Sequence, residues 1–526
     1  MEILYAGAEM VPFIKVGGLA DVAGALTKEL ARRGHSVRAF LPVYPSVRKH
    51  WDRLAPHKVT PLRVHLGGES IGAVLYRAID REAGVELLLL EQDHFFDRPN
   101  PYVDPKTGSD WPDNAERFAF LCHALPAACE AIGWRPEVMH LNDYQLGLVG
   151  LLLKEGLAPK ALQGVPVVYS IHNLGYQGIF PLEQQVHETP RSVQEKAQGG
   201  AADQAARQAG GQAVDPAGCQ AVGPAGGQAV GPAGGTAVGP AGGQAVGSGG
   251  GQAVDPAGGT AALQQEVPLV RQSAQDRLES LVTALGLPRH LAYPTGPLEF
   301  HGKLNFMKAG LVYADLITTV SPTYAREIQT DEHGFGLDGV LRDRAERLVG
   351  ILNGIDVQVW DPMTDPLIPY NFGPSDFQRK RENKARLLEV THLSEDLDVP
   401  LIGMISRLVD QKGLDLFERI ADSFLESHEV RMVVLGSGML RYERLMRRLA
   451  ERYPKKLAAC VGFDEPLAHL IEAGSDFFLM PSKYEPCGLN QMYSMRYGTV
   501  PIVRATGGLA DTVEEFQPKA GTGSGF

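Results

Sequence analysis

Phe477–Asn490 reads FFLMPSKYEPCGLN. Its first four residues are a short apolar run, the length of a buried strand. Pro481 ends the run. Tyr484-Glu485-Pro486-Cys487-Gly488 makes a turn, and Leu489 to Tyr497 reads as a helix. Strand, tight loop and helix N-terminus thus follow one another. Unpaired backbone N–H groups with partial positive charge gather at such a terminus and suit a phosphate. Glu485 lies just before them, placed to touch the neutral part of a ligand whose phosphate sits further in. An ordinary strand-to-helix turn with a solvated Glu is the competing reading, so the neighbouring stretches decide.

The same unit recurs through the second half. Strand Leu401–Ile405 leads to Ser406-Arg407 and then to Asp410-Gln411-Lys412-Gly413 and a helix. Strand Val433–Leu435 leads to Gly436-Ser437-Gly438, and Ala459–Val461 to Gly462-Phe463-Asp464-Glu465. Pro501–Val503 leads to Thr506-Gly507-Gly508. Repeated strand–helix units imply a parallel sheet wound right-handedly.

The first half opens the same way. Ile3–Ala6 is a strand, Leu19–Arg33 a helix stopped at Gly34, and Val37–Leu41 the next strand. The loop between holds Lys15-Val16-Gly17-Gly18, which is not the GxGxxG dinucleotide fingerprint. Its glycine pair lets a backbone approach a ligand closely, and Lys15 adds positive charge. Further strands are expected at Val85–Leu90, Val138–Leu141, Val167–Ile171, Leu316–Val320 and Gly350–Asn353. Asp143 follows one of them and His172-Asn173 another. Ligands of open α/β sheets collect beyond the carboxyl ends of strands. The plainer role for Asp143 is to cap a helix starting near Tyr144.

Two segments break the pattern. Residues 211–258 are six copies of an octapeptide close to GQAVGPAG, starting at Gly211, Cys219, Gly227, Gly235, Gly243 and Gly251. Such sequence cannot bury enough apolar surface to offset its ordering entropy. It reads as a disordered insertion over 184–265 in a surface loop. Trp360–Pro374, rich in Pro, Asp and Asn, reads as an interdomain crossing. The expected division is 1–183 and 266–355 for a first domain, 356–395 for the crossing and 396–526 for a second domain. The fold class is therefore α/β, with two Rossmann-like domains facing across a cleft.

At 526 residues the chain is too long for one core. Its net charge of −12, with scattered basic residues, argues against nucleic acid and acidic membrane surfaces as partners. The N-terminus lacks the pattern of a signal peptide, and the apolar run at Leu146–Leu153 is too short to span a bilayer. Of five cysteines, Cys122 and Cys129 read as core packing, and a reducing cytoplasm is the expected compartment. No metal-ligand spacing appears, and no lysine context suits a pyridoxal cofactor. Lys15, Arg407 and Lys412, with two helix N-termini, are equipped to stabilise a departing polyphosphate without a metal.

Seven stretches carry a family resemblance: KVGGLADV from Lys15, IHNLGYQG from Ile171, TTVSPTYAREIQT from Thr318, ILNGID from Ile351, SRLVDQKGLDL from Ser406, SKYEPCGLNQ from Ser482 and TGGLADT from Thr506. In this order they resemble the bacterial glycogen synthase and plant starch synthase family, retaining glucosyltransferases of the two-domain (GT-B) type. The resemblance implies ADP-glucose as donor, an α-1,4-glucan such as glycogen as acceptor, and no cofactor.

It also implies roles. Lys15, Gly17, Gly18 and Asp21 would meet the nucleotide sugar, Lys15 and the glycine backbone at its phosphates. Arg407 and Lys412 would neutralise the leaving ADP. Cys487, Gly488 and Leu489 would offer N–H groups, and Thr506, Gly507 and Gly508 would also bind substrate. Glu485 would hold glucose hydroxyls. Asn353 would line the cleft floor, Phe463 would offer an aromatic face to adenine, and Asn173 would contact substrate. His172 would turn its main-chain oxygen to the anomeric carbon, with Asp143 near the sugar and acceptor.

The chain departs from the family at Asn142 (usually His), Tyr144 (usually Trp), Phe463 (usually Tyr) and Asn490 (often Thr). The resemblance also leads one to expect about two helices beyond Phe526, the last crossing back to the first domain. A same-fold transferase with another donor and a non-catalytic glucan-binding paralogue remain alternatives.

Overall fold

The computed structural model describes residues 1–181 and 273–526. The octapeptide array lies outside the described residues. Two separate sheets, one mostly and one wholly parallel, organise the rest. The first has β1 (Glu2–Ala6), β2 (Ser36–Pro42), β3 (His57–Leu66), β4 (Glu69–Asp80), β5 (Val85–Glu91), β6 (Val138–Asn142) and β7 (Val167–Ile171). β8 (Ile179–Pro181), β9 (Glu299–Phe300) and β10 (Lys303–Asn305) form a small antiparallel sheet beside it. With β11 (Leu316–Thr319) and β12 (Leu348–Gly350), the first sheet runs β12-β11-β7-β6-β1-β2-β5-β4-β3.

Its central strands are buried on both faces, as continuous apolar runs require. Ile3 to Ala6 are all buried, and so are Leu87 to Leu90. The edge differs. β3 and β4 pair antiparallel, and neither was expected from the sequence. The reason is their patterning: Leu62, Val64 and Leu66 are buried while Arg63 and His65 are exposed. That is the period-two alternation of a strand with one wet face, not a continuous apolar run. Gly67 and Gly68, at φ 58° and 86°, make the two-residue turn that only positive φ allows.

The second sheet is wholly parallel. It contains β13 (Leu401–Ile405), β14 (Arg431–Gly436), β15 (Leu457–Val461), β16 (Phe477–Met480) and β17 (Val500–Val503), in the order β15-β14-β13-β16-β17. The expected strand at Gly350–Asn353 ends instead at Gly350, and the chain leaves the sheet there.

The segment after it is fastened to the second sheet's layer of helices. Trp360 stacks between His469 and Tyr493, with ring centroids 3.9 and 3.8 Å away. Fully buried Asp365 accepts hydrogen bonds from His469 Nδ1 (2.8 Å) and the Tyr497 hydroxyl (2.6 Å). Buried Lys380 donates to the carbonyls of Glu472 and Ala473 near the end of helix Glu465–Gly474. These are the carbonyls a helix cannot satisfy itself. No helix among the described residues is long and apolar enough to cross a membrane.

The two halves meet through helix Pro322–Glu327. Ser321 Oγ donates to Pro486 O at 2.6 Å, and Thr323 donates through N and Oγ1 to the Asp511 carboxylate at 2.8 and 2.6 Å. Glu327 Oε1 accepts from Thr506 Oγ1 (3.0 Å) and Gly507 N (2.9 Å), so it sits at the N-terminus of helix Gly507–Thr512. A carboxylate is favoured there by the helix dipole.

Candidate functional site

The carboxyl ends of the two sheets face each other, and the polar loops gather between them. On the first side, β1 runs into a loop that returns as helix Gly18–Arg32. Glu9, almost fully buried, shapes this loop. Its Oε2 accepts from Val16 N (2.5 Å) and Gly17 N (3.0 Å), and its Oε1 from the Tyr102 hydroxyl (2.5 Å). Burial raises the Glu9 carboxyl above the usual range, while these donors and the Arg407 charge oppose the rise. The Gly17 amide, expected at a phosphate, is therefore engaged by Glu9. A Cβ on Gly17 would meet nothing within 4 Å, so the protein's own packing does not demand glycine there. Lys15 Nζ lies 2.8 Å from Asp21 Oδ1.

Next to this loop stand β6 and β7. Asp143 does not cap a helix: only a single 3₁₀ turn, Tyr144–Leu146, follows, without a side-chain cap. Its Oδ1 instead accepts the amide of His172 at 2.8 Å. Asp143 has φ 53° and ψ −176°, a strained conformation that essentially only glycine adopts easily. Burial pushes its carboxyl up to about 7. His172 is pushed down to about 3, by burial first and by His140 second. Its imidazole is neutral at neutral pH.

Across the cleft, Lys412 Nζ and Glu485 Oε2 are 2.5 Å apart, with side chains 16% and 7% exposed. Ser482 Oγ donates to the same Glu485 oxygen at 2.9 Å. The loops carrying the two residues touch closely at Gly413, whose φ is 69° and whose Cβ would lie 2.0 Å from Pro481 O. Only glycine fits there. Arg407 Nη1 donates to the Tyr176 hydroxyl at 3.0 Å, and Asn173 Nδ2 faces Gln411 Oε1 at 3.4 Å. These contacts join the loop after β7 to the loop after β13.

The remaining expected residues divide. Cys487 is buried, its thiol pushed up to about 12 by burial, with Asn353 beside it. Gly488 has φ 73°, and Leu489 lies against Gly18. Thr506 and Gly507 are engaged by Glu327, and Gly508 N donates to Glu485 O at 3.0 Å. These three bind protein here. Phe463 is 77% exposed.

Residues 2–205 and 271–343 match the starch synthase catalytic domain family, and 390–524 match glycosyl transferases group 1. The whole chain aligns at 40% identity with a glycogen synthase of Anaeromyxobacter sp. (strain Fw109-5), of which it covers 88%. It belongs to the glycogen and starch synthase family. Glycogen synthase 1 of Methylococcus capsulatus is 38% identical over all of this chain and 85% of its own length. Among solved structures, the catalytic domain of starch synthase IV from Arabidopsis thaliana, bound to ADP and acarbose, matches with a TM-score of 0.73. It is 27% identical, over 98% of this chain and 85% of its own. This family member is thus a two-domain hexosyltransferase.

Sequence reading missed Glu9, Tyr102, Tyr176 and Gln411. An acidic residue just past β1 in an apolar stretch, AGAEMVP, was the available signal for Glu9. Glu9→Ala is expected to speed amide exchange at Val16 and Gly17 by about tenfold or more, as loss of a hydrogen bond to a charged group implies. Exchange within β1 should not change. Hydrogen–deuterium exchange at single-residue resolution checks this.

Proposed function

We propose that this chain transfers glucose from ADP-glucose to the non-reducing end of an α-1,4-glucan, with retention of anomeric configuration, in the cytoplasm. The observation that carries the reading is the pair of contacts, Arg407 Nη1 to the Tyr176 hydroxyl and Asn173 Nδ2 to Gln411 Oε1, that joins the loop bearing His172 to the loop bearing Arg407 and Lys412. In this reading the chain divides as expected, with a first domain (1–183 and 266–355), a crossing (356–395) and a nucleotide-sugar-binding domain (396–526). The ADP and acarbose named for the Arabidopsis structure support an adenine nucleotide and an oligosaccharide as occupants.

In this reading Arg407 and Lys412 neutralise the diphosphate as the glycosidic bond to it breaks. Preorganised charge in a site shielded from water is the strongest means of doing so. Lys412 already lies against Glu485, so Glu485 orients the cation while its free lone pairs hold sugar hydroxyls. Asp143 fixes the His172 main chain, whose carbonyl oxygen faces the developing oxocarbenium charge. The acceptor hydroxyl attacks from the face the diphosphate leaves, and the departing phosphate oxygen takes its proton. Lys15 and the amides at Gly17 and Gly18 complete the phosphate cradle once Lys15 exchanges Asp21 for the ligand.

A donor panel tests the reading. With a glycogen primer, ADP-glucose is expected to exceed UDP-glucose in kcat/KM by about tenfold or more. Equal or reversed preference would point to the same fold serving another donor.

A further inference from the structure

We propose that Asn142 is a positioning residue that locks His172 as its Nε2–H tautomer, leaving Nδ1 as a bare acceptor. The inference rests on the placement of His172 in the site proposed above. Asn142 ends β6, is fully buried, and lies between β1 and the residue that follows β7. Its Nδ2 donates to Ala6 O at 2.8 Å. Its Oδ1 meets the Tyr5 hydroxyl at 3.2 Å and His172 Nε2 at 2.9 Å.

These contacts determine the amide's orientation. Turned over, Asn142 would press Oδ1 against Ala6 O, two acceptors in a buried site. A buried acceptor without a donor costs on the order of 1–3 kcal/mol. The amide oxygen therefore faces His172, and an oxygen acceptor at 2.9 Å requires the proton on Nε2. The Tyr5 hydroxyl, free to rotate, donates to the same oxygen. A neutral imidazole carries one proton, so Nδ1 holds a lone pair. Among the described residues it has no hydrogen-bond partner.

Two consequences follow. Nδ1 receives a hydrogen bond from a substrate hydroxyl and rejects a carbonyl or phosphate oxygen. His172 also cannot protonate the leaving diphosphate, which leaves the acceptor hydroxyl as the proton source. The lock is further set by Asp143, which accepts the His172 amide at 2.8 Å and so anchors the residue from its main chain. Ring and backbone of His172 are thereby held by consecutive residues of one strand end.

The test is nitrogen NMR of the full chain with ¹⁵N-labelled histidine, His172 being assigned by difference from His172→Gln. Among 15 histidines, its Nε2 is expected at the protonated position and its Nδ1 at the unprotonated one. A proton on Nδ1, alone or with Nε2, would overturn the lock. Asn142→Leu is expected to give a mixed or inverted tautomer. Its kcat should fall on the order of 10²-fold, the scale of a small misplacement at a reacting centre. KM for ADP-glucose should stay within about threefold. An unchanged tautomer in that variant would also overturn it. Should Asn142→Leu fail to fold, Asn142→Asp supplies the decision: it keeps an acceptor oxygen, so the Nε2 proton must persist. A chain that shows the lock but transfers no glucose supports the tautomer and defeats the functional reading.

Discussion

Lys412→Met is expected to lower kcat/KM for the nucleotide sugar by about 10³-fold. The ammonium sits 2.5 Å from Glu485 with only 16% of its side chain exposed, and its partner is 7% exposed. Removing one member of a buried pair costs about 3–5 kcal/mol, because the other charge is left without compensation. The same change removes a cation from the leaving diphosphate, so the loss should appear in kcat. Glu485→Gln keeps the shape, and Ser482 Oγ keeps an acceptor. The lost charge alone should cost about 10²-fold. The double variant should be less impaired than the two losses multiplied, since each single change strands the other charge. Steady-state kinetics beside thermal denaturation separates catalysis from folding. A Glu485→Gln enzyme with near-full rate would contradict a charged role for Glu485.

Asp143→Asn carries the second large effect, and it has a pH signature. Burial raises the Asp143 carboxyl to about 7. The folded chain thus holds this proton more tightly than the unfolded chain. Stability accordingly falls as pH rises from the ordinary carboxylate range to about 7, and is level above that. Asparagine removes this slope. The variant should match the parent below about pH 4 and exceed it above pH 7 by about 1–2 kcal/mol, a value discounted because Asp143 keeps part of its surface in contact with water. Its activity should move the other way. Asn Oδ1 still accepts the His172 amide, so the main chain keeps its place while the charge is lost. A drop of about 10²-fold in kcat is expected, with loss of the rise in rate through pH 7. Denaturant midpoints and rate profiles from pH 4 to 9 measure both. A variant that is both fully active and unchanged in stability would refute the role assigned to Asp143.

The residues legible in the sequence share one property. Arg407, Lys412, Glu485, Asp143 and His172 all lie in the loops that follow short strands, and the ends of parallel strands converge in space. Local order along the chain was enough to assign each to the loop at a strand's end. Glu9 escaped because its meaning depends on Tyr102, 93 residues away. Asn142 appeared only as a departure from the family, since its role needs β1, β6 and β7 side by side. Thr506 and Gly507 were expected at the substrate on the family resemblance alone. In the fold, Glu327 from the other half supplies the anion. The β3–β4 hairpin was missed for a different reason: alternating polar residues hide a half-wet strand from a search for apolar runs.

Release of ADP from ADP-glucose by the 526-residue chain, with and without a glycogen primer, bears most directly on the proposed activity. Release that depends on the primer, with lengthened glucan as product, is the predicted result. Absence of release while ADP-glucose binds would mean that the Lys412–Glu485 and Asp143–His172 pairs do not by themselves make a working transferase. Absence of both release and nucleotide-sugar binding, with glucan still bound, would contradict the account and leave a glucan-binding protein of the same fold.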